Sequence, residues 1–159
     1  MRRSASGEDR ANRIPWPPIV QAATLAAAWF LERISPSNLL PQDTSIRAVG
    51  AALFIGAFAV AISGIRYFRS IGTAVDPTKP ASQLAQGGIF AWTRNPMYLG
   101  FSVAMLGLAL LFASGWLLAF ALLDPLALQK LAIEREEAYL TRRFGAAYTA
   151  YCARVRRWL

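Results

Sequence analysis

The chain has no histidine and a single cysteine, Cys152. The first absence removes the side chain most used as general base, proton shuttle and metal ligand. The second excludes an internal disulfide and a cysteine-built metal cluster. Acidic residues are scarce too, with 9 Asp and Glu against 17 Lys and Arg, for a net charge of +8. Chemistry therefore falls to carboxylates, arginines, tyrosines or a bound cofactor, and no metal site is expected. Cys152 lacks a histidine to activate it and lies on an apolar helix face, so it is not expected to be a nucleophile.

What the chain has in excess is apolar side chains, 55% of 159 residues, with a mean hydropathy of +0.34. Those values, with long uncharged runs, exceed what soluble domains carry. They indicate an all-α integral membrane protein forming one domain over residues 1–159. The basic residues flank the apolar runs. That distribution favours anionic lipid headgroups over nucleic acid as their partner.

Residues 1–14 are polar and basic and are expected to form a disordered cytosolic tail, not a cleaved signal peptide. A first span follows Pro15-Trp16-Pro17-Pro18, runs from Ile19 to Leu31 and closes at Glu32-Arg33. A second runs from Ala48 to Ile65 between Arg47 and Arg66, with Gly50, Gly56 and Gly64 suited to close helix packing. No residue from Asn95 to Leu123 is charged. Ser114-Gly115 divides this run into an antiparallel hairpin, a third span over about 96–113 and a fourth over about 116–133. Asp124 interrupts the fourth and is expected to face the bundle or a wet pocket, with Pro125 kinking the helix. Beyond it, Leu140, Phe144, Tyr148, Tyr151, Val155 and Trp158 recur at helical spacing. They predict an amphipathic helix lying in the headgroup layer, which Gly145 can bend.

With about four spans, the tail, the polar loop from Arg66 to Thr93 and the C-terminal helix share one side. All basic residues but Arg33 and Arg47 lie there. The positive-inside bias then puts both termini in the cytoplasm. The excess of arginine over lysine suggests a GC-rich bacterial source, and with the topology the expected location is a bacterial inner membrane.

This topology brings Gly88–Gly100 beside Glu134–Glu137 at the two ends of the hairpin. Asn95-Pro96 reads as a helix N-terminus, which favours an anionic group. Arg94 can hold a carboxylate or phosphate bidentately. Glu136 and Glu137 can accept hydrogen bonds from an ammonium group or ribose hydroxyls. Phe90, Trp92 and Tyr98 can offer a sulfonium their ring faces. S-adenosylmethionine carries the carboxylate, ammonium, ribose and sulfonium groups that this set would hold. The same residues also have structural uses. Arg94 could be a positive-inside anchor, and Glu134 and Glu137 could pair with Lys130, Arg135 or Arg143. Gly100 could serve helix packing, and Tyr148 and Tyr151 could be interface anchors.

The run from Leu84-x3-Gly88 through Arg94-Asn95-Pro96-Met97-Tyr98-Leu99-Gly100 is similar to a known signature, Arg-His-Pro-x-Tyr-x-Gly. It belongs to the isoprenylcysteine carboxyl methyltransferase and phospholipid methyltransferase superfamily of membrane enzymes. Glu136-Glu137, followed by Leu140, Phe144-Gly145, Tyr148, Tyr151 and Val155, resembles that superfamily's C-terminal signature. Residues 66–159 would then be the methyltransferase-like core.

The resemblance implies S-adenosylmethionine bound on the cytosolic side by Leu84, Gly88, Arg94, Asn95, Pro96, Tyr98, Gly100, Glu136 and Glu137. Arg94 and Glu136 would stand nearest the chemistry, and Trp92 and Tyr148 would meet a lipophilic substrate entering from the bilayer. Asn95 stands where the signature has histidine. An amide keeps the hydrogen bonding and puts any proton transfer at that position in question. The acceptor could be a prenylcysteine carboxylate, an ethanolamine lipid, a thiol or a phenol. Two other readings compete: a nicotinamide-dependent reductase of the sterol-reductase type, and a non-enzymatic four-helix scaffold or transporter. Oligomeric state is not legible in the sequence.

Overall fold

The computed structural model describes residues 14, 16–37 and 39–159. The polar tail expected at the N-terminus, apart from Ile14, lies outside the described residues, as do Pro15 and Asn38. Among the described residues every regular element is helical: α1 (Trp16–Ile34), α2 (Thr44–Ser70), α3 (Pro96–Phe112), α4 (Gly115–Leu128), α5 (Glu134–Phe144) and α6 (Ala146–Arg154). A short 3₁₀ turn, Gly88–Ala91, precedes α3.

Local chemistry sets the helix ends. Pro17 sits in the first turn of α1 and Pro96 opens α3, positions where the missing amide proton has no helical partner in any case. Asp43 caps α2 by accepting from the Ser45 and Ile46 amides at 2.8 and 3.2 Å. The hairpin between α3 and α4 turns where the sequence places it. Ala113 takes the left-handed conformation at φ 50° and Ser114 caps α4, its hydroxyl accepting from the Leu117 amide. Glu32 at the end of α1 fastens this turn, accepting from the Ser114 hydroxyl at 2.6 Å and from the Ser37 amide at 2.7 Å.

The fourth span departs from expectation. It does not stop near residue 133 but continues from Gly115 to Phe144 as one helix of 30 residues. Helix geometry loosens to a π turn at Gln129–Ile133, just past Pro125, and then resumes as α5. Glu134 to Glu137 are good helix formers, and Lys130 pairs with Glu134 at 2.7 Å across the junction, so the polar sequence prolongs the helix.

α2 packs most extensively on α3, and α4 lies against α3 and α1. The α2–α3 contact is close because glycines face it. A Cβ on Gly50 would fall 2.6 Å from the Leu111 nitrogen, and one on Gly107 would fall 2.7 Å from the Phe54 nitrogen. Asp124 faces the bundle, as its cost in an apolar medium requires. It is 2% exposed and accepts from Gln21 Nε2 of α1 and Ser102 Oγ of α3, each at 2.7 Å.

Two helices, Thr44–Ser70 and Gly115–Phe144, are long and apolar enough to cross a membrane, and α3 is a shorter apolar helix. In a soluble protein such helices would be mostly buried. Here only 17% and 33% of their most apolar windows is buried, and Val49, Ile55, Phe58, Ile62, Leu122, Leu123 and Leu126 point outward.

The C-terminal amphipathic helix is the second departure. Gly145 (φ 51°) breaks it into α5 and α6. Its apolar stripe is not turned to a headgroup layer: Tyr148, Tyr151 and Val155 are buried with Leu84, Leu140, Phe144 and Cys152. The polar loop before α3 supplies that cover, because folding it over the stripe removes apolar area from water on both sides.

Candidate functional site

A cavity of about 400 Å³ opens at one end of the bundle, between the loop of residues 73–85, the start of α3, and α5 and α6. Its size is within the range of cofactor sites. The loop is held over it by specific bonds. Thr73 Oγ1 accepts from the Ser82 and Gln83 amides, and the Tyr139 hydroxyl accepts from the Ala81 amide at 2.9 Å. Arg143 Nε donates to the Ala81 carbonyl. Gly87 and Gly88 fold around Tyr67, whose hydroxyl accepts from the Gly87 amide at 2.9 Å.

Of the residues singled out in the sequence, Leu84, Arg94, Asn95, Pro96, Tyr98, Glu136, Glu137 and Tyr148 line this cavity. The two signatures meet there: Arg94 Nη1 stands 3.1 Å from Glu137 Oε1, with side chains only 15% and 17% exposed. The Tyr98 hydroxyl donates to Glu136 Oε1. Gly88, Trp92 and Gly100 are not in the cavity wall. Gly88 has φ +57°, and a Cβ there would lie 2.9 Å from the Tyr67 ring, so its role is the turn. Gly100 serves packing, since its Cβ would meet the Ala57 carbonyl of α2 at 2.9 Å. Trp92 is 77% exposed and points away.

The surface pairings weighed in the sequence divide. Glu134 takes Lys130, but Glu137 takes Arg94 and Arg157. Arg157 is the residue bonded into this cluster that sequence reasoning missed. Its Nε and Nη2 bond the two oxygens of Glu137 at 3.0 and 2.6 Å, and its carbonyl accepts from Asn95 Nδ2 at 3.0 Å and Thr93 Oγ1 at 3.2 Å. The Arg94 amide donates to the neighbouring Arg156 carbonyl. The Tyr151 hydroxyl bonds the Phe90 carbonyl at 2.7 Å. The hint was local: Arg156 and Arg157 follow the last helical turn, where a chain leaving a helix must place its backbone groups on a neighbour.

Charge and burial act together here. Hydrogen bonding to Glu137 holds the Arg157 guanidinium above its usual range. Burial pushes the Tyr148 phenol up, and the Glu137 charge pushes it further. Burial likewise raises Tyr151, against the pull of Arg94. Arg94 Nη1 also donates to Cys152 Sγ, while its Nε is buried with no hydrogen-bond partner. An unsatisfied buried donor costs about 1–3 kcal/mol. S-adenosylmethionine fits the donor set present: a guanidinium for its carboxylate, carboxylates for its ammonium and ribose, and aromatic rings at the wall.

Fold and site thus define an all-helical membrane protein with a ligand-sized cavity, part ionic and part apolar, at one end of its helices. The chain matches the phospholipid methyltransferase family over residues 45–147, well over half its length, and it belongs to that family. No curated protein and no solved structure matches it at a significant level.

Proposed function

We propose that this protein transfers a methyl group from S-adenosylmethionine to a lipophilic acceptor at the cytoplasmic face of a bacterial inner membrane. The observation that carries this reading is the meeting of Arg94 and Glu137 in the cavity wall, with the Arg94 Nε left without an acceptor. In this reading α1, α2, α3 and the helix Gly115–Phe144 cross the bilayer, and both termini face the cytoplasm.

When bound, the cofactor supplies an activated methyl group; the chain supplies the rest. Arg94 binds the cofactor carboxylate. Glu136, oriented by the Tyr98 hydroxyl, and Glu137 accept from its ammonium and ribose groups. The loop of residues 73–85 forms one wall of the cavity, and shielding from water matters for a displacement that depends on positioning. Pro17, Pro18, Ile65, Phe68, Met97 and Phe101 form the apolar part of the wall and suit the acceptor's hydrocarbon. A carboxylate or thiolate acceptor arrives ionised. An amine must first lose a proton, a task for Glu136, a carboxylate that lines the cavity.

Calorimetry of detergent-purified protein with S-adenosylhomocysteine, the demethylated cofactor, tests the reading. Saturable binding is expected, and it should fall by at least about a hundredfold in Arg94→Ala and in Glu137→Ala. Absence of binding at about 1 mM ligand, with helicity intact, overturns it.

A further inference from the structure

Arg157 does not line the cavity, yet it holds both halves of the site. Its carbonyl fixes Thr93 and Asn95, and its guanidinium bonds both oxygens of Glu137, sharing Oε1 with Arg94. Arg94, Glu137 and Arg157 thus form a row of three charges, positive, negative and positive, with exposures of 15%, 17% and 33%. The row carries one net positive charge, and of the two arginines it is Arg94 that lines the cavity.

We infer that Arg157 is a positioning residue that neutralises Glu137 and so leaves Arg94 available to an anionic group of the ligand. A lone Arg94–Glu137 pair would be neutral, and its mutual attraction would oppose any carboxylate approaching Arg94. With Arg157 bonded to both oxygens, Glu137 is satisfied without Arg94. Arg94 can then turn its fork to the ligand carboxylate while Glu137 stays in place. The C-terminal segment after α6 is therefore a third component of the site, beside the two signatures, and acts on one functional group of the cofactor. This inference rests on the cofactor reading above.

The test compares two ligands on the full-length protein: S-adenosylhomocysteine and its decarboxylated analogue, which lacks only the carboxylate. Arg157→Ala is expected to weaken the first by about tenfold and to leave the second within about twofold of wild type. Arg157→Lys, which restores the charge without the fork, should recover part of the loss for the first ligand alone. Should the alanine variant not fold, Arg157→Gln keeps a hydrogen bond to Glu137, removes the charge and gives the same comparison. Equal weakening of both ligands would mean that Arg157 only braces the fold, and unchanged affinity for the first would mean that it does nothing to Arg94. Either result overturns the inference while leaving the cofactor reading standing. Failure of the wild type to bind either ligand overturns both.

Discussion

Tyr148 and Tyr151 stand side by side on α6, ring centroids 6.2 Å apart, both buried at the edge of the cavity. Each phenol is held neutral by burial, so its pKa in the fold lies above the ordinary value of about 10. A raised acid pKa contributes stability that is fully present below the unfolded value and is lost as pH rises past it. Their contribution to stability is therefore expected to hold to about pH 10 and to decline above it. Ionisation of Tyr148 and Tyr151, read as the ultraviolet absorbance difference from a Tyr148→Phe/Tyr151→Phe variant, should then lag behind that of free tyrosine. Ionisation at the ordinary value with the helix intact would contradict the burial. Asn95 teaches a related lesson. Its amide donates to the Arg157 carbonyl, a use that needs no titratable group and that asparagine serves without proton transfer.

At the scale of the element, the α2–α3 contact depends on which glycines face it. Gly50, Gly56 and Gly64 were all suited to packing by composition, but a Cβ on Gly56 would meet nothing within 4 Å. Gly50 and Gly107 instead face each other's helices at distances no side chain tolerates. Gly107→Leu is expected to cost at least about 1–3 kcal/mol, read as a lower melting temperature in detergent. Gly56→Ala should be neutral or slightly stabilising. Equal tolerance at both sites would show that α2 and α3 do not pack as described. The long helix from Gly115 to Phe144 shows the limit of pattern reading. Hydropathy falls at Glu134, but a helix ends where its hydrogen bonding ends, and the bonding does not end there.

For the whole molecule, the charge distribution carries one further prediction. Reporter fusions active only in the cytoplasm should work at the C-terminus and within the loop of residues 73–85, and should fail between Ser35 and Ser45. The reverse pattern would invert the proposed orientation and detach the site from the cytoplasmic cofactor pool. The sequence by itself determined the helical class, the hairpin at Ser114-Gly115, the inward turn of Asp124 and the two signatures that meet at Arg94 and Glu137. The first three follow from hydropathy, capping or charge within one stretch of chain, and the signatures from their resemblance to a known family. Only the tertiary structure decided that Gly88 and Gly100 pack while Leu84 lines the cavity, that Trp92 points away, and that the aromatic stripe is buried against the loop. It alone brought Arg157 onto Glu137, because a bond between residues far apart in the chain depends on how α5, α6 and the end of the loop are packed.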